Sequence, residues 1–164
     1  MSGPDMLMGD RDTETMLAWS EQYETGHPVI DAQHRMLISY INRLEVMSQR
    51  TGLTREDFEY FLHFVEFLED YTLTHFNHEE KCMLRYRCPA HQDNVQAHKD
   101  FLDFYRGFGR RLGEKGCGPE VIRELYDFCS KWIRQHILKI DVQLKPCQVP
   151  VDGTPEEPEE LDFI

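Results

Sequence analysis

The chain has 164 residues, enough for one domain with its own core, and an ordinary globular composition of 40% hydrophobic, 29% charged and 12% aromatic residues. No run approaches the ~18 apolar residues of a membrane span, and residues 1–11 carry acids without an apolar core, which is unlike a secretory leader. A soluble protein of the cytoplasm is the default expectation, and the net charge of −12 argues against nucleic acid as a partner, because an acidic chain repels phosphate backbones.

Residues 1–15 are polar and without a period, and are expected to form a mobile lead. In residues 16–29 an irregular segment is expected to pack Trp19 and Tyr23 against the body. Four stretches with apolar residues at helical spacing follow. The first is predicted from about Asp31 to Arg50, with Ile30, His34, Leu37, Ile41 and Leu44 facing inward and Gly52 supplying a left-handed cap. Thr54, with Asp57 three residues on, has the form of a capping box and opens the second helix. Its stripe to about Arg85 is Phe58, Phe61, Val65, Leu68, Thr72, His75, Glu79, Cys82 and Tyr86. Pro89 is placed in the first turn of a third helix, whose stripe is His91, Asn94, His98, Phe101, Tyr105, Phe108 and Leu112. Gly113, Gly116 and Gly118 make the next turn. Pro119 opens a fourth helix carrying Ile122, Leu125, Cys129, Trp132 and His136, expected to end near Leu144.

Four long helices joined by short turns favour an all-α, antiparallel up-down-up-down four-helix bundle over residues 16–145. The segment 146–164 has four prolines, the acids Asp152, Glu156, Glu157, Glu159, Glu160 and Asp162, and no Lys or Arg, and is expected to be a disordered tail. The five cysteines, Cys82, Cys88, Cys117, Cys129 and Cys147, include no CxxC pair and are read as reduced thiols.

The polar residues on the apolar stripes carry the chemistry. A His or Glu on a buried seam is costly unless paired or bound to a metal. His34 lies near the start of helix one, His75 and Glu79 late in helix two, His98 early in helix three, and His136 and Asp141 late in helix four. In an antiparallel bundle these positions share one end, so all six side chains fall in one layer. His75 and Glu79 are one turn apart and about 40° around the helix, so both can reach one metal cluster. Imidazole with carboxylate suits iron, zinc or manganese. Asp141 follows His136 by five residues, a rotation of roughly 140°, a spacing that by itself does not favour a shared site. Of the other residues, His78 is expected to face solvent, His27 and His63 to be surface or structural, and Cys82 to be a small core residue or, alternatively, an oxidation-prone thiol near metal.

The segments LAWSEQYETGHPVIDAQHRMLI, HFNHEEKCM, AHKDFL and WIRQHILKID, in that order, resemble those of the bacterial hemerythrins over nearly all of residues 17–145. The resemblance implies a four-helix bundle with a non-haem diiron centre that binds O2, its two Fe ions bridged by carboxylates and an oxo or hydroxo group. His34 and His75 would then hold one iron, His98 and His136 the other, with Glu79 and Asp141 bridging. One position departs from the pattern: a ligand His of the family falls on Asn94. His91, two turns or about 10 Å before His98, either bends in as a substitute ligand or stays outside, in which case water fills the place and the second site is open to partial occupancy or another metal. A binding protein for O2 (storage, delivery or sensing) is therefore expected rather than an enzyme. The alternatives are a diiron enzyme that reduces peroxide, NO or O2 at an extra open position near Asn94, and a metal- or redox-dependent signalling module.

Overall fold

Each of the four apolar stripes becomes a helix in the computed structural model, which describes residues 16–148. The expectations for a mobile lead and for most of an acidic tail lie outside the described residues. The helices are α1 (Pro28–Ser48), α2 (Arg55–Arg85), α3 (His91–Lys115) and α4 (Pro119–Lys139), with short 3-10 segments at Glu21–Tyr23 and Asp141–Cys147. The described residues contain no strand, and the fold is an all-helical four-helix bundle.

Local chemistry sets the helix boundaries. Pro28 and Pro119 occupy the first turns of α1 and α4, where a missing backbone N–H costs nothing. Thr54 and Asp57 form the expected capping box at α2, each side chain accepting from the other's backbone N–H. α2 ends in a paired cap in which Cys88 N–H donates to Met83 O (2.8 Å) and Arg87 N–H to Leu84 O (3.1 Å), with Arg87 itself at φ 53°. Pro89 therefore sits in the turn, and α3 begins two residues later at His91. Gly116, at φ 74°, closes α3. Gly52 is not left-handed; α1 has already stopped at Ser48, capped by Gln49 in right-handed geometry.

The largest departure is at the end of α4. The α-helix stops at Lys139, Ile140 breaks it at φ −116° and ψ −60°, and the chain continues as a 3-10 segment through Pro146. This break re-aims the residues after it, Asp141 first among them.

The core is filled by the stripe residues, with Leu44, Phe61, Phe108, Ile122 and Leu125 fully buried. Phe64, Phe76 and Met83 on α2 join them, while Phe58, in its first turn, stays 39% exposed. Trp19 and Tyr23 pack on the body as expected, and Leu17 is tied to α1 by reciprocal bonds with the Asn42 amide at 2.9 and 2.8 Å. Across α1 and α4, buried Glu45 accepts from Arg123 Nη1 at 2.6 Å. No helix among the described residues is long and apolar enough to cross a membrane.

Phe108 lies ten residues past His98 on α3, about 15 Å along the axis, so its role is packing alone. Phe108→Ala is expected to lower the unfolding free energy by about 3–5 kcal/mol and Thr54→Ala by about 1 kcal/mol, both read from urea denaturation. A loss below ~1 kcal/mol for Phe108→Ala would contradict its placement.

Candidate metal centre

At one end of the bundle the seam turns polar. His34 comes from α1, His75 and Glu79 from α2, Asn94 and His98 from α3, and His136 from α4, with Asp141 just past the Ile140 break. All seven are buried, and Glu79, Asn94 and Asp141 have no exposed surface. The spacing problem between His136 and Asp141 is solved by the change of helix type, because a continuous α-helix would have carried Asp141 around to another face.

The two carboxylates straddle two groups of imidazoles. Glu79 turns Oε1 towards His34 Nε2 (3.7 Å) and Oε2 towards His98 Nε2 (3.3 Å). Asp141 turns Oδ2 towards His34 Nε2 (3.4 Å) and Oδ1 towards His136 Nε2 (3.0 Å). Ligand atoms of His34, His75 and Glu79 lie within 4.8 Å of one another, as do those of Glu79, His98 and His136. Atoms that share a metal through bonds of ~2.1 Å sit about 3.0–3.4 Å apart, so the observed separations are near those of donors around a common ion.

The rings are held from outside. His75 Nδ1 lies 2.9 Å from Gln33 Oε1 and His98 Nδ1 lies 2.8 Å from Glu80 Oε1. An acceptor at Nδ1 keeps the proton there and presents the Nε2 lone pair inwards, an arrangement typical of metal-binding histidines. Phe76 stacks on His98 with centroids 3.6 Å apart, and Trp132 stacks on His136 at 4.2 Å. These contacts fix ring orientation and keep water away from that side. Gln33 and Glu80 are absent from the stripe reading because they lie beside the seam. Their only signal is adjacency, Gln33 to His34 and Glu80 to Glu79.

Electrostatics point the same way. Burial pulls His75 and His136 down to about 4, and His98 to about 3; it also holds His34 well below the ordinary imidazole range, with neighbouring imidazoles adding to the effect. Burial, then the facing Asp141, raises Glu79 to about 7, and burial raises Asp141 well above its usual value. Among the described residues, apart from the imidazole nitrogens and the Glu79–Asp141 contact itself, no donor reaches Glu79 Oε1 or either oxygen of Asp141. Neutral imidazoles with two under-satisfied carboxyls form a donor set that lacks positive charge, a charge that bound cations would supply.

Asn94 is part of this layer. Its Nδ2 donates to Glu79 Oε2 at 3.2 Å, while its buried Oδ1 has no hydrogen-bond partner. His91 stands half-exposed in the first turn of α3 and is outside the groups of converging ligand atoms. His78 is half-buried rather than facing solvent, and its ring lies against Cys82 and His27.

A pH dependence follows for the metal-free protein. Between pH ~6.5 and ~4.5 the four histidines bind protons in the unfolded chain but not in the fold, so lowering the pH destabilises. Glu79 and Asp141 bind protons in the fold first and work in the opposite sense. Four groups against two give a net loss of stability as pH falls through this window. Urea midpoints of metal-free protein at pH 6.5 and pH 5 test this, and a higher midpoint at pH 5 would contradict it.

The chain is similar to known proteins over most of the bundle. Residues 25–147 match the family model described as the hemerythrin HHE cation binding domain. The chain is 32% identical over 129 residues to a bacteriohemerythrin of Pseudomonas aeruginosa, covering 76% of each chain. It is 28% identical over 122 residues to one of Stenotrophomonas maltophilia, covering 74% of each. The myohemerythrin of Sipunculus nudus matches at 22% over 127 residues, 77% of this chain and 89% of that one. With a cation-binding model spanning most of the helical bundle and relatives of this kind along three quarters of its length, the chain belongs to the hemerythrin family.

Proposed function

We propose that this chain is a non-haem diiron protein that binds O2, for storage, delivery or sensing. The observation that carries the reading is the pair of buried carboxylates, each with one oxygen towards His34 and the other towards His98 or His136. A carboxylate in that position can join two metal ions. His34 and His75 would hold one iron, His98 and His136 the other, and Glu79 and Asp141 would bridge.

When bound, the iron pair supplies the electrons and the coordination position needed to take up O2. The protein's own residues prepare the place. Neutral imidazoles offer lone pairs without first losing a proton. Gln33 and Glu80 hold the Nδ1 protons of His75 and His98 and so orient both rings. Phe76 stacks on His98, Trp132 lies 6.3 Å from the same ring, and Phe101 packs against both Phe76 and Trp132; this apolar wall excludes water from a bound ligand. Glu79 and Asp141 give up their raised protons as the cations enter.

Asn94 favours a second reading. An amide stands where the pattern has an imidazole, and its buried Oδ1, without a hydrogen-bond partner among the described residues, is a weaker iron donor than imidazole. One iron would then keep an exchangeable position, which suits reduction of peroxide, NO or O2. O2 binding remains the principal reading, because the other six donors are all present and buried.

Full-length protein produced with ample iron is expected to carry about two iron ions per chain, and Glu79→Gln to hold less than roughly half as much, as measured by elemental analysis. Wild-type iron content in Glu79→Gln would contradict the bridging role. Asn94→His is expected to lengthen the life of the O2-bound protein at least about tenfold, followed by its visible spectrum after the reduced protein meets O2. An unchanged lifetime would remove Asn94 from the account.

A further inference from the structure

A second cluster of metal-binding side chains lies beside the centre described above, offset by three residues along α2 and about 60° around it. His78 and Cys82 are four residues apart on α2, so both project from one face. Cys82 Sγ lies 3.7 Å from His78 Nε2 and 3.8 Å from His27 Nε2. All three ligand atoms fall within 4.8 Å of one another, and the two imidazoles meet edge to face with centroids 5.6 Å apart. We propose that His27, His78 and Cys82 form a binding site for a borderline-soft divalent ion of the zinc type, separate from the iron centre.

The distances carry the proposal. In a tetrahedral zinc site with a Zn–S bond of ~2.3 Å and a Zn–N bond of ~2.05 Å, sulfur and nitrogen stand about 3.6 Å apart. Both S···N separations here are within about 0.2 Å of that edge, so an ion could be seated with little movement. The donor set selects the ion. Thiolate with imidazole favours zinc, cobalt(II) and copper over magnesium, calcium or manganese. Cys82 is buried whereas His27 and His78 are half-exposed, so the open side faces solvent and water would complete four-coordination. The metal–sulfur bond forms as the thiol proton leaves to solvent.

The third ligand comes from an irregular segment, and that segment is pinned. Asp31 Oδ1 accepts from both Thr25 N–H and Thr25 Oγ1 at 2.8 Å, and His27 N–H donates to Thr25 Oγ1 at 3.2 Å. Gly26 takes φ 79°, with Lys145 Cγ 3.2 Å from where a Cβ would stand. Gln148 Nε2 also donates to Thr25 O at 2.8 Å. The loop presenting His27 is therefore held from α1 and from the 3-10 segment after α4, which reduces the ordering cost of binding. No ligand atom is shared with the iron centre, so the site stands whether or not the diiron reading does.

Cobalt(II) tests the proposal, because a cobalt–thiolate bond gives a near-ultraviolet charge-transfer band that the sulfur-free His and carboxylate centre cannot produce. Full-length, iron-loaded protein titrated with Co(II) alone is expected to develop that band, saturating at about one further equivalent per chain. Cys82→Ser should abolish it. His78→Ala and His27→Ala should each weaken Co(II) binding by about tenfold or more, with circular dichroism and iron content unchanged. Since Cys82 is buried, the half-exposed His78 and His27 variants keep the test decisive if Cys82→Ser misfolds. Absence of a thiolate band in the wild type, or a band of equal strength and affinity in His78→Ala and His27→Ala, would overturn the proposal.

Discussion

Two carboxylates facing one another in a dry bundle end are the constraint around which the rest is arranged. Glu79 and Asp141 are fully buried, and ionising both there without a compensating cation is strongly unfavourable. Four imidazoles surround them, and all four are held neutral by burial, so the histidines do not supply the missing charge. The arrangement makes physical sense as a donor set completed by metal. The apolar remainder of the bundle is then a scaffold that fixes four helices closely enough for six donors to meet.

Each helix contributes to that precision in a different way. α1 and α4 are locked by the Glu45–Arg123 pair and by fully buried Leu44, Ile122 and Leu125. α2 brings His75 and Glu79 to the centre and, three residues further along and about 60° around, His78 and Cys82 to the second cluster, so one helix serves both. α3 brings His98, with Phe76 of α2 stacked on its ring, and also Asn94, the position at which this chain differs from the pattern its motifs resemble. Asn94 holds Glu79 through Nδ2, an orienting role that an amide performs and that a metal-bound imidazole would not. The substitution thus exchanges a strong donor for a hydrogen bond to a carboxylate proposed to bridge.

The periodic part of the layer was legible from the residues. His34, His75, Glu79 and His98 sit on apolar stripes at steps of three and four, and antiparallel topology alone puts them at one height with His136. Asp141 was harder to place, because five residues of α-helix point it away and only the break at Ile140 turns it inwards. Neither Gln33 nor Glu80 shows a period, since residues that support a ligand from behind need not lie on the buried face. His91 shares the stripe of His98 but stays at the half-exposed first turn, where two helical turns separate it from the layer. The His27, His78 and Cys82 cluster escaped the pattern because His27 lies in a loop, where periodicity carries no information and contacts such as Thr25 with Asp31 decide position.

Crystals of the full-length, iron-loaded protein, with anomalous diffraction recorded on both sides of the iron absorption edge, give the most direct measurement. Two iron peaks are expected, one against His34 and His75 and one against His98 and His136, with Glu79 and Asp141 touching both. A single peak, or peaks that leave either carboxylate without a metal, would contradict the shared centre.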